Sequence, residues 1–397
     1  KIGAYAFASE NISIGTLMIG EEVAEFTEDI YSSSSAHYWR QFAGITVGTL
    51  RFLATNLVTG HTEGEGLTNN IYPPFEGAAV GTFEIGEGVT AIPEYLLYDA
   101  KLEMDALEIH VPKIGAYAFA SENISIGTLT IGEEVAEFTE DIYSSSSTHY
   151  WRQFAGMTVG TLRFLAANLV TVHTEEKGLT NSIYAPFEKA SVGTLEIGGN
   201  VEAVPEYFLY NAFLTMDALE IHAPKIGAYA FAGNDISIGT LTIGREVTVF
   251  AEDYFSTVSS HYWNQFMNGK FGRVAYAADC AATENGVVAY GTFSTYIYGP
   301  FQKSEVGTLA IADNVECIPD YLFYNAKMAL NDMVINVPVI GAQAFQGAGI
   351  AIKTLTIGER VEHFAAAKYG SSSYRYWEQF RDADIGEVNY NVPEQVY

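Results

Sequence analysis

The sequence predicts a solenoid of about fourteen stacked units, with a parallel β-sheet along one face and irregular or short helical segments on the opposite, convex side. Three observations predict it. A block of about 112 residues returns along the chain, a shorter Leu-x-Ile pattern recurs inside every block, and an apolar anchor precedes each Leu-x-Ile by eight or ten residues.

The long block opens with Lys1-Ile2-Gly3-Ala4-Tyr5-Ala6-Phe7 and returns at Lys113 to Phe119 and at Lys225 to Phe231. A fourth, altered opening runs Val339-Ile340-Gly341-Ala342-Gln343-Ala344-Phe345. The repeats therefore cover 1–112, 113–224, 225–338 and, in part, 339–397, and are expected to form one solenoid over 1–397. The first two copies agree at roughly four positions in five. Independent domains have no need of such copying, whereas a stack of mutually covering units does.

The short pattern supplies the strands. In order it reads Leu17/Ile19, Leu50/Phe52, Phe83/Ile85, Leu107/Ile109, Leu129/Ile131, Leu162/Phe164 and Leu195/Ile197. It continues as Leu219/Ile221, Leu241/Ile243, Val274/Tyr276, Leu309/Ile311, Met333/Ile335, Leu355/Ile357 and Val388/Tyr390. A spacing of two puts both apolar side chains on one face of a strand. One such rung can neither cover that face nor pair its edges, and stacking rungs in parallel does both. The anchors Phe7, Phe42, Phe75 and Leu97, with their equivalents, then fill the opposite wall.

Composition narrows the function. Hydrophobic residues make up 48% of the chain, enough for a large core. Acids outnumber bases 48 to 20, a net charge of -28, which excludes nucleic acid and anionic membrane surfaces as partners. No apolar run of 18 residues and no basic-then-apolar leader occurs, so direct membrane insertion is not expected. Two cysteines, Cys280 and Cys317, exclude a disulfide framework and a thiolate zinc site, and each is expected as a free thiol.

Ile-Gly-x-x-Ala-Phe, followed ten residues after the Phe by Leu-x-Ile, resembles the BspA-like leucine-rich repeat. The pattern is cleanest over 2–19, 114–131, 226–243 and 340–357, while Ile92-Pro93-Glu94-Tyr95-Leu96-Leu97 departs from it. The resemblance implies a leucine-rich-repeat scaffold. It also implies a surface or secreted protein of the kind that oral and gut bacteria use for adhesion to host proteins or other cells.

The position between the two apolar residues of each rung is expected to face solvent. It reads Met18, Arg51, Glu84, Glu108, Thr130, Arg163, Glu196 and Glu220, then turns neutral as Thr242, Ala275, Ala310, Val334, Thr356 and Asn389. Arg51 and Arg163 are candidate partner-binding residues, and Arg51 with Glu84, and Arg163 with Glu196, are expected as cross-strand ion pairs worth some tenths of a kcal/mol. Glu84 with Glu108, and Glu196 with Glu220, are expected as like-charged neighbours: solvated charge, or alternatively a cation or basic-ligand site. Ala275, Ala310 and Val334 form a candidate docking strip, with drift of the third copy as the alternative.

An aromatic insertion recurs too. Its core, His37-Tyr38-Trp39-Arg40-Gln41-Phe42, returns around Trp151 and Trp263 and, degraded, at Trp377. Trp-x-x-Phe spacing predicts a short helix with both rings on one side, the Trp filling the convex wall. His37, Tyr38, His149, Tyr150, His261 and Tyr262 are expected near the surface, as a second candidate contact zone.

No zinc-binding His-Glu-x-x-His, phosphate loop or nucleophile elbow is present, so no catalytic residue and no cofactor is assigned. The expectation is a monomeric extracellular scaffold that binds a host or microbial surface protein or glycan through repeated weak contacts. The alternative is a structural spacer with no ligand of its own.

Overall fold

A Leu-x-Ile rung has β-branched and aliphatic side chains on one face and small or polar ones on the other, and that alternation folds it as a strand. The computed structural model describes residues 1–33, 36–60, 70–141, 148–171, 173, 182–254, 260–279, 282–283, 296–366 and 377–391. They form two compact units, Lys1–Gly198 and Gly199–Tyr397.

In the first unit the rungs are Ser13–Ile19, Thr46–Phe52, Ala79–Ile85, Lys101–Ile109, Ile124–Ile131, Thr158–Phe164 and Ser191–Ile197. In the second they are Phe213–Ile221, Ile236–Ile243, Lys270–Tyr276, Glu305–Ile311, Lys327–Ile335, Ile350–Ile357 and Asp384–Tyr390. Within each unit successive rungs pair in parallel and in chain order. Leu129 faces Leu107 and Leu162, and Ile131 faces Ile109 and Phe164. All six are buried, so the rung core stands as expected. The final rung departs from it: among the described residues it pairs only with Ile350–Ile357, and Val388 and Tyr390 are more than half exposed.

The rungs are longer than the sequence pattern and share one irregularity. Ile126 and Leu129 point inward with Gly127 and Thr128 between them, and the ladder is paired at Ile126 and Thr128 but not at the glycine. This is a kink shared by neighbouring rungs, not a bulge, since the pairing offset is the same on both sides of the glycine. A second irregularity lets long and short rungs adjoin. Ala79 and Val80 pair with Lys101 and Leu102, after which the register is lost. Lys101–Ile109 carries nine residues against seven, and an offset of two keeps every side chain on its face.

The opposite wall is a spine of anchors. Phe119, Phe154 and Phe187 stack at centroid separations of 5.5 and 4.7 Å. In the second unit Phe231, Phe266 and Phe301 stack at 5.7 and 4.6 Å. The segments that carry them are turns and strands of two or three residues, with no helix among the described residues. The short-helix expectation is thus corrected: Trp151 follows the strand Thr148–Tyr150, and Phe154 lies in a turn. Trp39, Trp151 and Trp263 are fully buried.

Two devices hold these turns together. The residue two before an anchor adopts a left-handed conformation, as at Tyr117 (φ 57°) and Arg152 (φ 49°). Alternate turn amides donate to the next turn, Tyr117 N to Trp151 O and Phe119 N to Gln153 O. The second device is a buried glutamine that sequence reasoning missed. Gln153 Nε2 donates to Thr139 O at 2.8 Å and Ile114 O at 3.3 Å, and Gln41, Gln265 and Gln379 repeat the arrangement. Its signal was the recurrent Gln one position before the anchor Phe.

Tyr276 breaks the pattern in the other direction. Its ring occupies the place of Phe52 and Phe164, and its buried hydroxyl has no partner among the described residues. Tyr276→Phe is therefore expected to raise stability by about 1 kcal/mol, read from the denaturation midpoint at constant slope. A loss of stability would show that the hydroxyl is bonded. The free-thiol expectation is corrected at Cys317, which is disulfide-bonded; Cys280, the chain's only other cysteine, lies outside the described residues.

Candidate interaction surfaces

The outward rung column brings together the expected ion pairs. Arg51 Nε lies 2.9 Å from Glu84 Oε2, and Arg163 Nε lies 3.1 Å from Glu196 Oε2. Both pairs are about half exposed, which keeps their worth to some tenths of a kcal/mol. Glu84 and Glu108 are not register neighbours, because pairing between their strands ends at Val80 and Leu102. Glu108 instead meets His110 Nε2 at 3.5 Å, while His110 Nδ1 meets Glu134 at 2.8 Å. Glu220, His222 and Glu246 repeat this at 3.4 and 2.8 Å. Both ring nitrogens are engaged by carboxylates, so the imidazolium bridges these groups where a metal was considered. No metal-holding cluster of three His, Cys, Asp or Glu occurs among the described residues.

The bridges predict a pH response. Hydrogen bonds donated by the rings to the carboxylates of Glu134 and Glu246 raise the pKa of His110 and His222 above the usual 6.5. Their stabilisation is fully present below pH 6.5 and is lost as pH rises through the folded-state value. Imidazole proton shifts should titrate above pH 6.5 for both residues, and Glu134→Gln should return His110 toward it. A wild-type midpoint at or below 6.5 contradicts the bridge.

Elsewhere in the column the neutral residues differ among themselves. Val334 is exposed, Ala275 and Ala310 are half-buried register neighbours, and Thr130 is buried, contrary to its expected exposure.

The aromatic insertion divides in two. His37, His149 and His261 are buried, and each Nδ1 pairs with a buried carboxylate of Glu28, Glu140 or Glu252. Their expected surface position is corrected: the side chain on the inward face of a three-residue strand lies against Trp39, Trp151 or Trp263. Tyr38, Tyr150 and Tyr262 point the other way and are half-buried.

Each of these tyrosines stacks on a tyrosine from the next repeat: Tyr38 on Tyr72, Tyr150 on Tyr184 and Tyr262 on Tyr298, at 4.6, 4.7 and 4.8 Å. The Arg40 guanidinium lies 4.4 Å from the Tyr72 ring centre and Arg152 lies 4.3 Å from that of Tyr184, each also bound to a glutamate, Glu76 or Glu188. Tyr117 and Tyr98 extend the second cluster at 6.4 and 5.4 Å. Burial pushes the Tyr117 and Tyr150 hydroxyls up, so these phenols remain neutral donors. Sequence reasoning missed Tyr72, Tyr184, Tyr298, Arg40 and Arg152, although Ile-Tyr-x-Pro-Phe recurs at Ile71, Ile183 and Ile297.

Stacked parallel rungs with a recurrent leucine define a leucine-rich-repeat protein. The family model of the BspA type leucine rich repeat region matches six copies over residues 62–149, 157–261 and 288–375, and the chain belongs to that family. Comparison with curated proteins gives no match. Among solved structures the chain is similar to the pneumococcal vaccine antigen PcpA, with TM-score 0.33 and 12% identity over 97% of this chain and 84% of that one. It is also similar to a leucine rich cell surface protein from Faecalibacterium prausnitzii A2-165, with TM-score 0.30 and 11% identity over 98% and 93%.

Proposed function

We propose that the chain is an extracellular, surface-associated and non-catalytic recognition scaffold that binds a host or microbial surface protein or glycan. The observation that carries this reading is the tyrosine stack, present in each of the three long repeats with ring separations of 4.6 to 4.8 Å. Pure core packing does not require a half-buried phenol flanked by a cation. Recognition surfaces use such groups, since tyrosine gives contact area at low entropic cost. Three repeated tyrosine stacks, two of them flanked by an arginine and the third by Asn264, give avidity without tight single contacts. Family membership supports the surface assignment, and the disulfide at Cys317 suits an oxidising compartment.

The test is binding of the purified chain to panels of matrix proteins and glycans. Tyr38→Ser, Tyr150→Ser and Tyr262→Ser should weaken retention stepwise as they are combined, while Arg51→Ser should leave it unchanged. Equal tolerance of all four substitutions would favour the spacer.

A further inference from the structure

The outward rung face of the second unit carries two exposed cations, Lys270 and Arg273, that form no ion pair among the described residues. With 48 acids to 20 bases, a base in this chain is readily partnered: Lys1 by Glu25, Lys113 by Glu137 and Arg360 by Glu316. Lys270 and Arg273 are not, nor are Lys101, Lys189, Lys303 and Lys353 among the described residues; what sets Lys270 and Arg273 apart is that they share one rung. Both are exposed on the strand Lys270–Tyr276, and neither forms an ion pair among the described residues. Lys270 stands in register beside Glu305, but that carboxylate meets Lys327, its other neighbour, at 3.4 Å. Lys327 thus takes the glutamate that stands beside Lys270.

Neighbouring positions have changed together. Thr46 and Thr158 stand in the first unit where Lys270 stands in the second, and Thr49 and Thr161 where Arg273 stands. Conversely, Arg51 and Arg163 give way to Ala275, and Glu84 and Glu196 to Ala310. Charge has left the column between the apolar rung residues and reappears two positions earlier on the strand, at Arg273, and five earlier, at Lys270. Between Lys270, Glu305 and Lys327 lies a shallow cavity of about 600 Å³ whose floor includes Gly239, Gly272 and Gly307. Ala79 and Ser191 likewise give way to Glu305, so the second unit gains two cations and one carboxylate beside an open, backbone-floored hollow.

We propose that this face binds an extended acidic polypeptide segment, its carboxylates pairing with Lys270 and Arg273 and its backbone lying over Ala275, Ala310 and the glycine floor. Charge complementarity sets the sign of the ligand. An acidic glycan fits less well. Sugar rings pack on exposed aromatic faces, and the one aromatic residue lining the cavity, Phe271, is buried. Ammonium and guanidinium groups bind carboxylates directly. The site is independent of the tyrosine stacks.

Fluorescence polarisation of a labelled oligoglutamate with the whole chain tests this. Binding should be saturable, weaken as salt is raised, and fall about tenfold or more in Lys270→Glu/Arg273→Glu. Both positions are exposed, circular dichroism verifies the fold of the variant, and Lys270→Ala/Arg273→Ala gives a milder loss in the same direction. Arg51→Glu and Tyr150→Ser should retain binding; loss in Tyr150→Ser alone would place the peptide on the tyrosines and overturn the proposal. So would absence of binding at low salt, an equal loss in Arg51→Glu, or capture of polyglucuronate in place of the peptide.

Discussion

Phe154→Ala is expected to destabilise the protein by about 4 kcal/mol, the largest effect of any single side-chain truncation considered. The ring is fully buried, lies between Phe119 and Phe187, and meets Phe138 edge-on at 5.9 Å. Its removal opens a cavity inside a wall whose neighbours are fixed by backbone bonds on both sides, Phe154 N to Pro186 O and Phe119 N to Gln153 O. Phe154→Leu should recover about half of the loss, because Leu97 and Leu209 occupy the same position in other repeats and are themselves buried. Chemical denaturation of the two variants measures this. A loss below about 1 kcal/mol in Phe154→Ala would mean that the wall collapses onto the gap.

The second large effect concerns the glycine of Ile-Gly-x-x-Ala-Phe. A Cβ at Gly115 would lie 2.4 Å from the backbone N of Glu94 and 2.7 Å from the carbonyl carbon of Pro93. Gly227 and Gly341 would meet the preceding turn as closely, at 2.5 and 2.4 Å. These atoms are main chain and cannot swing aside. Gly115→Ala and Gly227→Ala should therefore each cost about 3 kcal/mol. Gly3 carries the same motif, but a Cβ there meets nothing within 4 Å. Gly3→Ala in this 397-residue chain is the matched control and should be neutral within about 0.5 kcal/mol. The motif glycine thus records close approach of one repeat to the turn before it. Comparable losses at Gly3 and Gly115 would point to unfolded-state entropy instead.

The rungs and the anchor spine were legible because their physics is short-range in sequence. A period of two fixes the face, and a constant offset to the anchor fixes the opposite wall, so Leu129, Ile131 and Phe119 could be placed from spacing alone. The kink at Gly127 was not, since Gly-Thr between two apolar residues is compatible with several turns until the neighbouring rung's carbonyl is in place. The break between Ala79–Ile85 and Lys101–Ile109 was equally hidden. An offset of two preserves the apolar alternation that sequence reasoning follows.

The candidate surfaces were less legible than the fold. Tyr38 and His37 are adjacent, and a strand sends adjacent side chains to opposite faces, whereas the expected helix would have grouped them. That one misassignment put His37, His149 and His261 at the surface instead of in buried pairs with Glu28, Glu140 and Glu252. It also obscured Tyr72 and Tyr184, which come from the following repeat and meet Tyr38 and Tyr150 only once the turns stack. The Glu108–His110 contact joins residues two apart on one strand. It needs Glu134 from the next repeat to become a bridge.

These elements share one cause. Each repeat leaves its apolar face, its turn amides and its aromatic rings incomplete, and the neighbour supplies what is missing. The measurement that tests this most directly is amide hydrogen exchange over Ile124–Ile131 and Thr158–Phe164, whose rungs are covered on both sides. The account predicts that these amides exchange slowest in the first unit, through global opening only, and that Gly115→Ala accelerates them while Gly3→Ala does not. Rapid exchange of the Leu129 and Leu162 amides in the unmodified chain would contradict it.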